Sequence, residues 1–120
     1  MKLHHADLII PQGEEDEARE YYGKFLGLKE IEKPEVLKKN GGMWFELNGS
    51  QLHLSYERGE GFDPRKTKTH LAFQVDNLNF IEEKIKSEGY FLRYQTPIPG
   101  MKRLETEDPF GHKIEFLQAL

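Results

Sequence analysis

The sequence predicts an α+β protein built from two βαβββ modules, and three observations support this fold class. The order strand, helix and three strands occurs over residues 1–58 and again over residues 68–120. The intervening residues 59–67 are rich in glycine and charge and contain a proline, as is typical of a linker. A chain of 120 residues also supplies the core of one domain. We therefore expect a single domain over residues 1–120 in which both modules pack together.

The first module opens with a strand-like run over residues 3–10. A helix follows, whose apolar stripe recurs at spacings of three and four residues and consists of Ala18, Tyr21, Tyr22 and Phe25. The pattern then predicts three further strands, over residues 29–32, 42–47 and 51–56. Asn48-Gly49 separates the last two strands, and this dipeptide is typical of a two-residue hairpin.

The second module repeats this order. Residues 69–75 form its predicted first strand, and Asp76-Asn77 can cap the helix that follows. That helix carries the apolar residues Leu78, Ile81 and Ile85 and ends at Gly89. Three strands are predicted next, over residues 90–94, 101–107 and 112–117. Residues 108–111, Asp-Pro-Phe-Gly, form the turn between the last pair.

Composition excludes several function classes. The net charge is -4, and no dense block of Lys and Arg is present, so we expect no nucleic-acid partner. The chain has no cysteine, which excludes disulfides and thiolate chemistry. The N-terminal residues lack the apolar core of a signal peptide, and no apolar run is long enough to span a membrane. We expect a cytoplasmic protein without a membrane partner.

Four residues occupy matched places in the two modules. His5 and His70 lie in the first strands, whereas His53 and Glu115 lie in the last strands, 48 and 45 residues further on. Strand alternation sets each of them opposite the apolar residues of its strand. A lone histidine in a strand is usually a surface residue, but four matched positions indicate a metal site. Three imidazoles and one carboxylate suit Zn²⁺, Ni²⁺, Co²⁺, Mn²⁺ or Fe²⁺.

Four other residues are candidates for substrate binding. Arg103 and Glu105 alternate in the strand before the last turn, where Arg103 could clamp a substrate carboxylate or phosphonate. The alternative is a solvated charged strand. Trp44 and Tyr94 could line the cavity, although bulky aromatic residues more often lie in a core or an interface.

Three polar residues complete the predictions. Asp7 shares the strand face of His5 and could orient a metal ligand. We expect His4 to face away from His5, and His112 to be exposed in a turn.

Four segments of the chain resemble motifs of a known family. Residues 3–8 resemble its first strand, with His5 at the ligand position, and residues 20–28, EYYGKFLGL, resemble its helix end. Residues 69–75, THLAFQV, resemble the first strand of its second module. Residues 107–115, EDPFGHKIE, resemble the hairpin that ends in a carboxylate ligand. In order and together, they resemble the vicinal oxygen chelate superfamily of glyoxalases, bleomycin resistance proteins and extradiol dioxygenases.

The resemblance implies a curved, partly open mixed barrel of two βαβββ modules around one divalent metal ion. It implies His5, His70 and Glu115 as ligands, with His53 at the position where bacterial glyoxalase I carries a Glu. Such a metal binds two adjacent substrate oxygens, and Glu115 or a bound water would move a proton. Many members of the superfamily are dimers, and we expect a homodimer.

The expected function is therefore that of a metal-dependent lyase, isomerase or transferase acting on a small substrate with vicinal oxygens. Two alternatives remain open. Some relatives lack the metal and sequester drugs such as bleomycin, and others are extradiol-type dioxygenases that need Fe²⁺ or Mn²⁺. One fold hosts all these activities, so the fold alone does not choose among them.

Overall fold

Each half of the chain folds into one four-stranded sheet with one principal helix. The computed structural model of the protein describes residues 1–59 and 61–120, so Glu60 of the predicted linker lies outside the described residues. The chain divides into two units, Met1–Phe62 and Asp63–Leu120. Both contain the order βαβββ, which confirms the predicted fold class. No helix in the described ranges is long and apolar enough to cross a membrane.

The first unit contains four strands, β1 to β4. The strands are His5–Ile10, Lys29–Ile31, Met43–Leu47 and Ser50–Tyr56. They are arranged in the order β1-β4-β3-β2, with β1 parallel to β4 and the other pairs antiparallel. A short 3₁₀ helix, Glu35–Asn40, precedes β3. Asn48 and Gly49 both adopt positive φ, at 39° and 90°, which gives the tight hairpin that this dipeptide predicts.

The helix of the first unit, α1, begins as one α-helical turn, Glu15–Ala18, and continues as a π-helix, Arg19–Phe25. The backbone N–H of Leu26 donates to the carbonyl of Tyr21, five residues earlier, at 2.9 Å. The predicted apolar stripe is nevertheless buried, because the wider turn brings Tyr21 and Tyr22 side by side into the core. The Tyr22 ring faces Phe45 of β3 at a centroid distance of 6.1 Å.

The second unit repeats the architecture with β5 to β8 and helix α2. The strands are His70–Gln74, Arg93–Tyr94, Met101–Glu107 and Lys113–Ala119, and α2 is Leu78–Glu88. The sheet order is β5-β8-β7-β6, with β5 parallel to β8. A short 3₁₀ helix, Pro64–Lys66, precedes β5. Helix α2 packs on β7 and β8, and Ile85 of the helix, Leu104 of β7 and Phe116 of β8 are all buried in the core.

Two details of the second unit differ from the sequence prediction. The predicted strand over residues 90–94 is reduced to Arg93–Tyr94, because the backbone N–H of Tyr90 donates to the carbonyl of Ile85 at the end of α2. His112 is buried, at 7% exposure, so the expectation of an exposed turn is wrong. The buried Asp108 carboxylate accepts the backbone N–H groups of Phe110 and His112, which draws the turn inward.

Candidate functional site

The two sheets place the four candidate ligands at equivalent register positions. In the first sheet, His5 of β1 stands two residues before the residue that pairs with His53 of β4. In the second sheet, His70 of β5 likewise stands two residues before the partner of Glu115 of β8. The positions that match in the sequence therefore also match in the fold. The first unit contains His5 and His53, and the second unit contains His70 and Glu115.

In the first unit, His53 lies in a stack of three rings. Trp44 stacks on it with a centroid distance of 3.9 Å and an interplanar angle of 1°, and His5 stacks on it at 4.1 Å. Since β4 lies between β1 and β3, His53 is the middle ring, and only 5% of it is exposed. Its Nε2 is 2.8 Å from Oε1 of Gln51. The stack holds His53 in one orientation.

This environment favours neutral His53. Burial lowers the pKa of His53 below its ordinary value of 6.5, and the neighbouring charge of His5 lowers the pKa further. Asp7 acts in the opposite direction as a smaller contribution. A neutral imidazole keeps the lone pair that a metal ligand needs.

The strand end at His5 carries a second imidazole. Nδ1 of His4 lies 2.9 Å from Nδ1 of His5, so the expectation that His4 faces away is wrong. One of these two nitrogens must donate a proton to the other. Asp7, on the face of His5 as expected, accepts a hydrogen bond from the Ser55 hydroxyl at 2.7 Å.

A cleft of about 470 Å³ opens beside these residues within the first unit. Its wall includes the predicted ligands His5 and His53 and the predicted substrate contact Trp44. Two cationic side chains, Lys33 and Arg58, line the same cleft. Sequence reasoning did not select these two, because both lie outside the regular strands and no alternation pattern marks them.

In the second unit, His70 and Glu115 form a close pair. Nε2 of His70 lies 3.3 Å from Oε2 of Glu115, and the carboxylate is buried whereas the His70 ring is exposed. Nδ1 of His70 is 2.8 Å from the backbone carbonyl of Lys68, which can only accept, so Nδ1 carries the proton. In a neutral His70, Nε2 then directs a lone pair at a carboxylate oxygen.

Arg103 holds the other oxygen of Glu115. Its Nη1 donates to Oε1 at 3.1 Å, and its Nε donates to the carbonyl of Thr96 at 2.8 Å. The guanidinium that the sequence assigns to a substrate therefore already has two protein partners. Its contacts fix the carboxylate and leave Oε2 directed at His70.

Glu105 and Tyr94 also have protein partners. Glu105, at 4% exposure, accepts hydrogen bonds from Arg93 and from Gln95. Tyr94 pairs with Leu104 on the α2 side of the sheet, and its hydroxyl donates to Glu82 of α2. Their predicted contacts with a substrate stay predictions, and the hydroxyl of Tyr94 is directed at the helix.

The chemistry of the donors fits a divalent metal ion. Within each unit, among residues 1–59 and 61–120, no three His, Asp or Glu side chains are grouped to hold a metal. Each unit instead offers two donors, and the carbonyl contact of His70 is the arrangement that directs an imidazole lone pair at a metal. Imidazole nitrogens, as in His5 and His53, and a carboxylate beside an imidazole, as in Glu115 and His70, are donors that suit Zn²⁺ and its neighbours in the first transition series.

Comparison with known proteins identifies the family. Residues 2–116 match the model of the Glyoxalase/Bleomycin resistance protein/Dioxygenase superfamily. The chain belongs to this superfamily. The resemblance inferred from the sequence motifs is thereby confirmed.

Solved structures of the superfamily share the fold. The chain is 34% identical to a glyoxalase family protein of Bacillus anthracis, with a TM-score of 0.90 over 100% of this chain and 96% of that chain. A glyoxalase/dioxygenase of Nostoc punctiforme is 25% identical, with a TM-score of 0.81 over 99% of this chain and 91% of the other. The predicted glyoxalase-like fold is confirmed by both.

A longer plant relative is similar in sequence. Glyoxylase I 4 of Arabidopsis thaliana is 30% identical over 108 residues, which cover 83% of this chain. The chain spans only 62% of that relative's length.

Proposed function

We propose that this chain is a metal-dependent glyoxalase-type enzyme acting on a small substrate with two adjacent oxygen atoms. We further propose that it acts in the cytoplasm as a homodimer. The proposed ligands are His5, His53, His70 and Glu115. The superfamily to which the chain belongs includes glyoxalases. The observation that carries the proposal is the His70–Glu115 pair, in which an imidazole lone pair and a carboxylate oxygen face each other at 3.3 Å.

A divalent ion held by these residues would supply a Lewis acid to polarise the substrate oxygens. The residues of the chain supply the rest. Glu115 is the proposed proton acceptor, and Arg103 keeps its carboxylate in one orientation by holding Oε1. Trp44 and His53 provide a flat wall in the cleft against which a substrate can be oriented.

The proposal is tested by elemental analysis of untagged protein. The protein is stripped, reloaded separately with Zn²⁺, Ni²⁺, Co²⁺, Mn²⁺ and Fe²⁺, and freed of excess metal. We expect about one equivalent in the wild type and none in a His70→Ala/Glu115→Ala double variant. Glu107→Gln, which removes a carboxylate of β7 that pairs with Arg65, serves as the matched control and should retain the metal. Wild-type protein that retains none of the five ions would overturn the proposal.

A metal-free sequestration protein is the second candidate. The stack of Trp44, His53 and His5 beside a cleft of about 470 Å³ favours it, because flat rings bind unsaturated compounds without a metal. Binding measurements distinguish the two candidate functions when they compare metal-stripped wild type, metal-loaded wild type and the His70→Ala/Glu115→Ala double variant. A sequestered compound should bind the stripped wild type and the double variant equally well and gain nothing from added metal, whereas a substrate should bind the loaded wild type more tightly than the stripped protein.

A further inference from the structure

Two cations, Lys33 and Arg58, line the wall of the first unit's cleft. Nζ of Lys33 donates to the backbone carbonyl of Gly41, which is neutral. Among residues 1–59 and 61–120, neither Lys33 nor Arg58 has a carboxylate within ion-pair distance. Asp7 also lines the cleft, and its carboxylate, which accepts a hydrogen bond from the Ser55 hydroxyl, offsets one of these charges. Lys33, Arg58 and Asp7 together leave the wall with one net positive charge.

Both cations reach the cleft from segments that flank the sheet, Lys33 after β2 and Arg58 after β4. A net positive charge on the wall of a cleft attracts small anions, because low-dielectric walls concentrate its effect.

The remaining wall is flat and aromatic. Trp44 and His53 lie parallel within 1°, and His5 continues the stack. Parallel rings offer a surface for the face or edge of a planar unsaturated group. A guanidinium such as that of Arg58 pairs well with the planar oxygens of a carboxylate or with a phosphonate.

We propose that this cleft binds a small planar organic oxyanion, whose carboxylate or phosphonate lies against Lys33 and Arg58 and whose unsaturated part lies against Trp44. The inference names the substrate class, and it rests on the proposed function for the use of this site in catalysis. Binding itself requires no metal. The two claims can therefore fail separately.

Trp44 is the only tryptophan of the chain and lines the cleft, so its fluorescence reports binding directly. Metal-stripped protein is titrated with benzoate, phenylphosphonate and neutral benzamide. We expect saturable changes with the two anions and about tenfold weaker binding of benzamide. The Lys33→Met/Arg58→Gln double variant should bind benzoate about tenfold more weakly. Lys29→Met, which removes an exposed cation outside the cleft, should bind benzoate as the wild type does.

Equal binding of benzoate and benzamide, or unchanged benzoate binding in the double variant, would overturn the proposal. Circular dichroism checks that the double variant folds. If it does not, the single variant Arg58→Gln, which changes an exposed side chain, takes its place. Metal retention without benzoate binding would overturn this inference and leave the proposed enzyme intact. Benzoate binding without metal retention would overturn the proposed enzyme and leave the oxyanion site.

Discussion

In the first unit, β4 places His53 against an aromatic wall formed by Trp44 and His5. In the second unit, β8 places Glu115 against a charged wall formed by Arg103 and Glu105. The register makes the comparison direct, because the residue opposite His53 is Trp44 and the residue opposite Glu115 is Glu105. Both central side chains are buried to the same extent, at 5% exposure. One backbone plan therefore accommodates a neutral and an anionic donor at equivalent positions.

The difference follows from the needs of each donor. A buried imidazole stays neutral when apolar rings cover it, whereas a buried carboxylate needs hydrogen-bond donors and a counter-charge. Arg103 meets the second need, two residues before Glu105. The corresponding residue of the first unit, two before Trp44, is Gly42. Neighbouring strands thus adapt to the donor, and the two pairs are not interchangeable.

The largest expected effect comes from Gly42→Ala. Gly42 has a φ of 79°, and an added Cβ would lie 2.1 Å from the carbonyl oxygen of Leu54. We expect a loss of about 3 kcal/mol in unfolding free energy, since strain and a backbone clash combine. Urea denaturation measures it. Gly27→Ala, at a φ of 75° with open space around it, is the control and should cost about 1 kcal/mol. Equal losses would show that the first unit can accept a side chain at this position.

Arg103→Gln is expected to have the next largest effect. It leaves the buried Glu115 without its guanidinium, which should reduce the unfolding free energy by about 2 kcal/mol. Urea denaturation at neutral pH measures the loss. A loss below about 0.5 kcal/mol would show that the charged wall of the second unit is not needed to hold the carboxylate.

The aromatic wall of the first unit predicts a pH dependence. The pKa of His53 is lowered in the folded protein, so the unfolded chain binds this proton more readily. Stability should therefore be fully present above the ordinary value of 6.5 and should be lost as the pH falls through the folded pKa of His53. Unfolding free energies of the wild type and His53→Asn across this range test it. The variant should lose less on acidification, and parallel curves would contradict the prediction.

The smallest expected effect is that of Arg19→Gln. Arg19 and Glu30 form an ion pair at 2.9 Å on the surface of the first unit, with side chains 49% and 38% exposed. Solvent screens such pairs, so the change should cost less than about 1 kcal/mol. Urea denaturation of this variant beside Arg103→Gln shows how much burial contributes to an arginine–carboxylate pair. A larger loss from Arg19→Gln would contradict that view.

Much of the fold was predictable from the sequence, because it depends on periodicity and local signals. Alternation in β4 and β8 set His53 and Glu115 apart from their apolar neighbours, and the cap at Asn77 was read correctly. The π-helix was not predicted. Apolar residues spaced three and four apart fit an α-helix and a short π-helix equally well, because the segment of seven residues is too short to reveal the number of residues per turn. The two 3₁₀ helices carry no apolar repeat and were likewise missed.

The candidate site was predictable only in part. Alternation identifies which side chains share a face, but it does not choose their partners. Arg103 was expected to meet a substrate, and its contact with Glu115 depends on the pairing of β7 with β8. Lys33 and Arg58 reach the cleft from outside the strands, so no sequence pattern identified them.

The central claim is that each unit supplies a metal ligand at the same register position. Its most direct test is the Zn²⁺ affinity of the variants His53→Asn and Glu115→Gln, measured by competition with a chromophoric chelator. Glu107→Gln, which lies outside the proposed ligand set, is the matched control. Both ligand variants should lose at least about tenfold in affinity, while the control should bind Zn²⁺ as the wild type does. Wild-type affinity in His53→Asn, with loss confined to Glu115→Gln, would contradict the central claim.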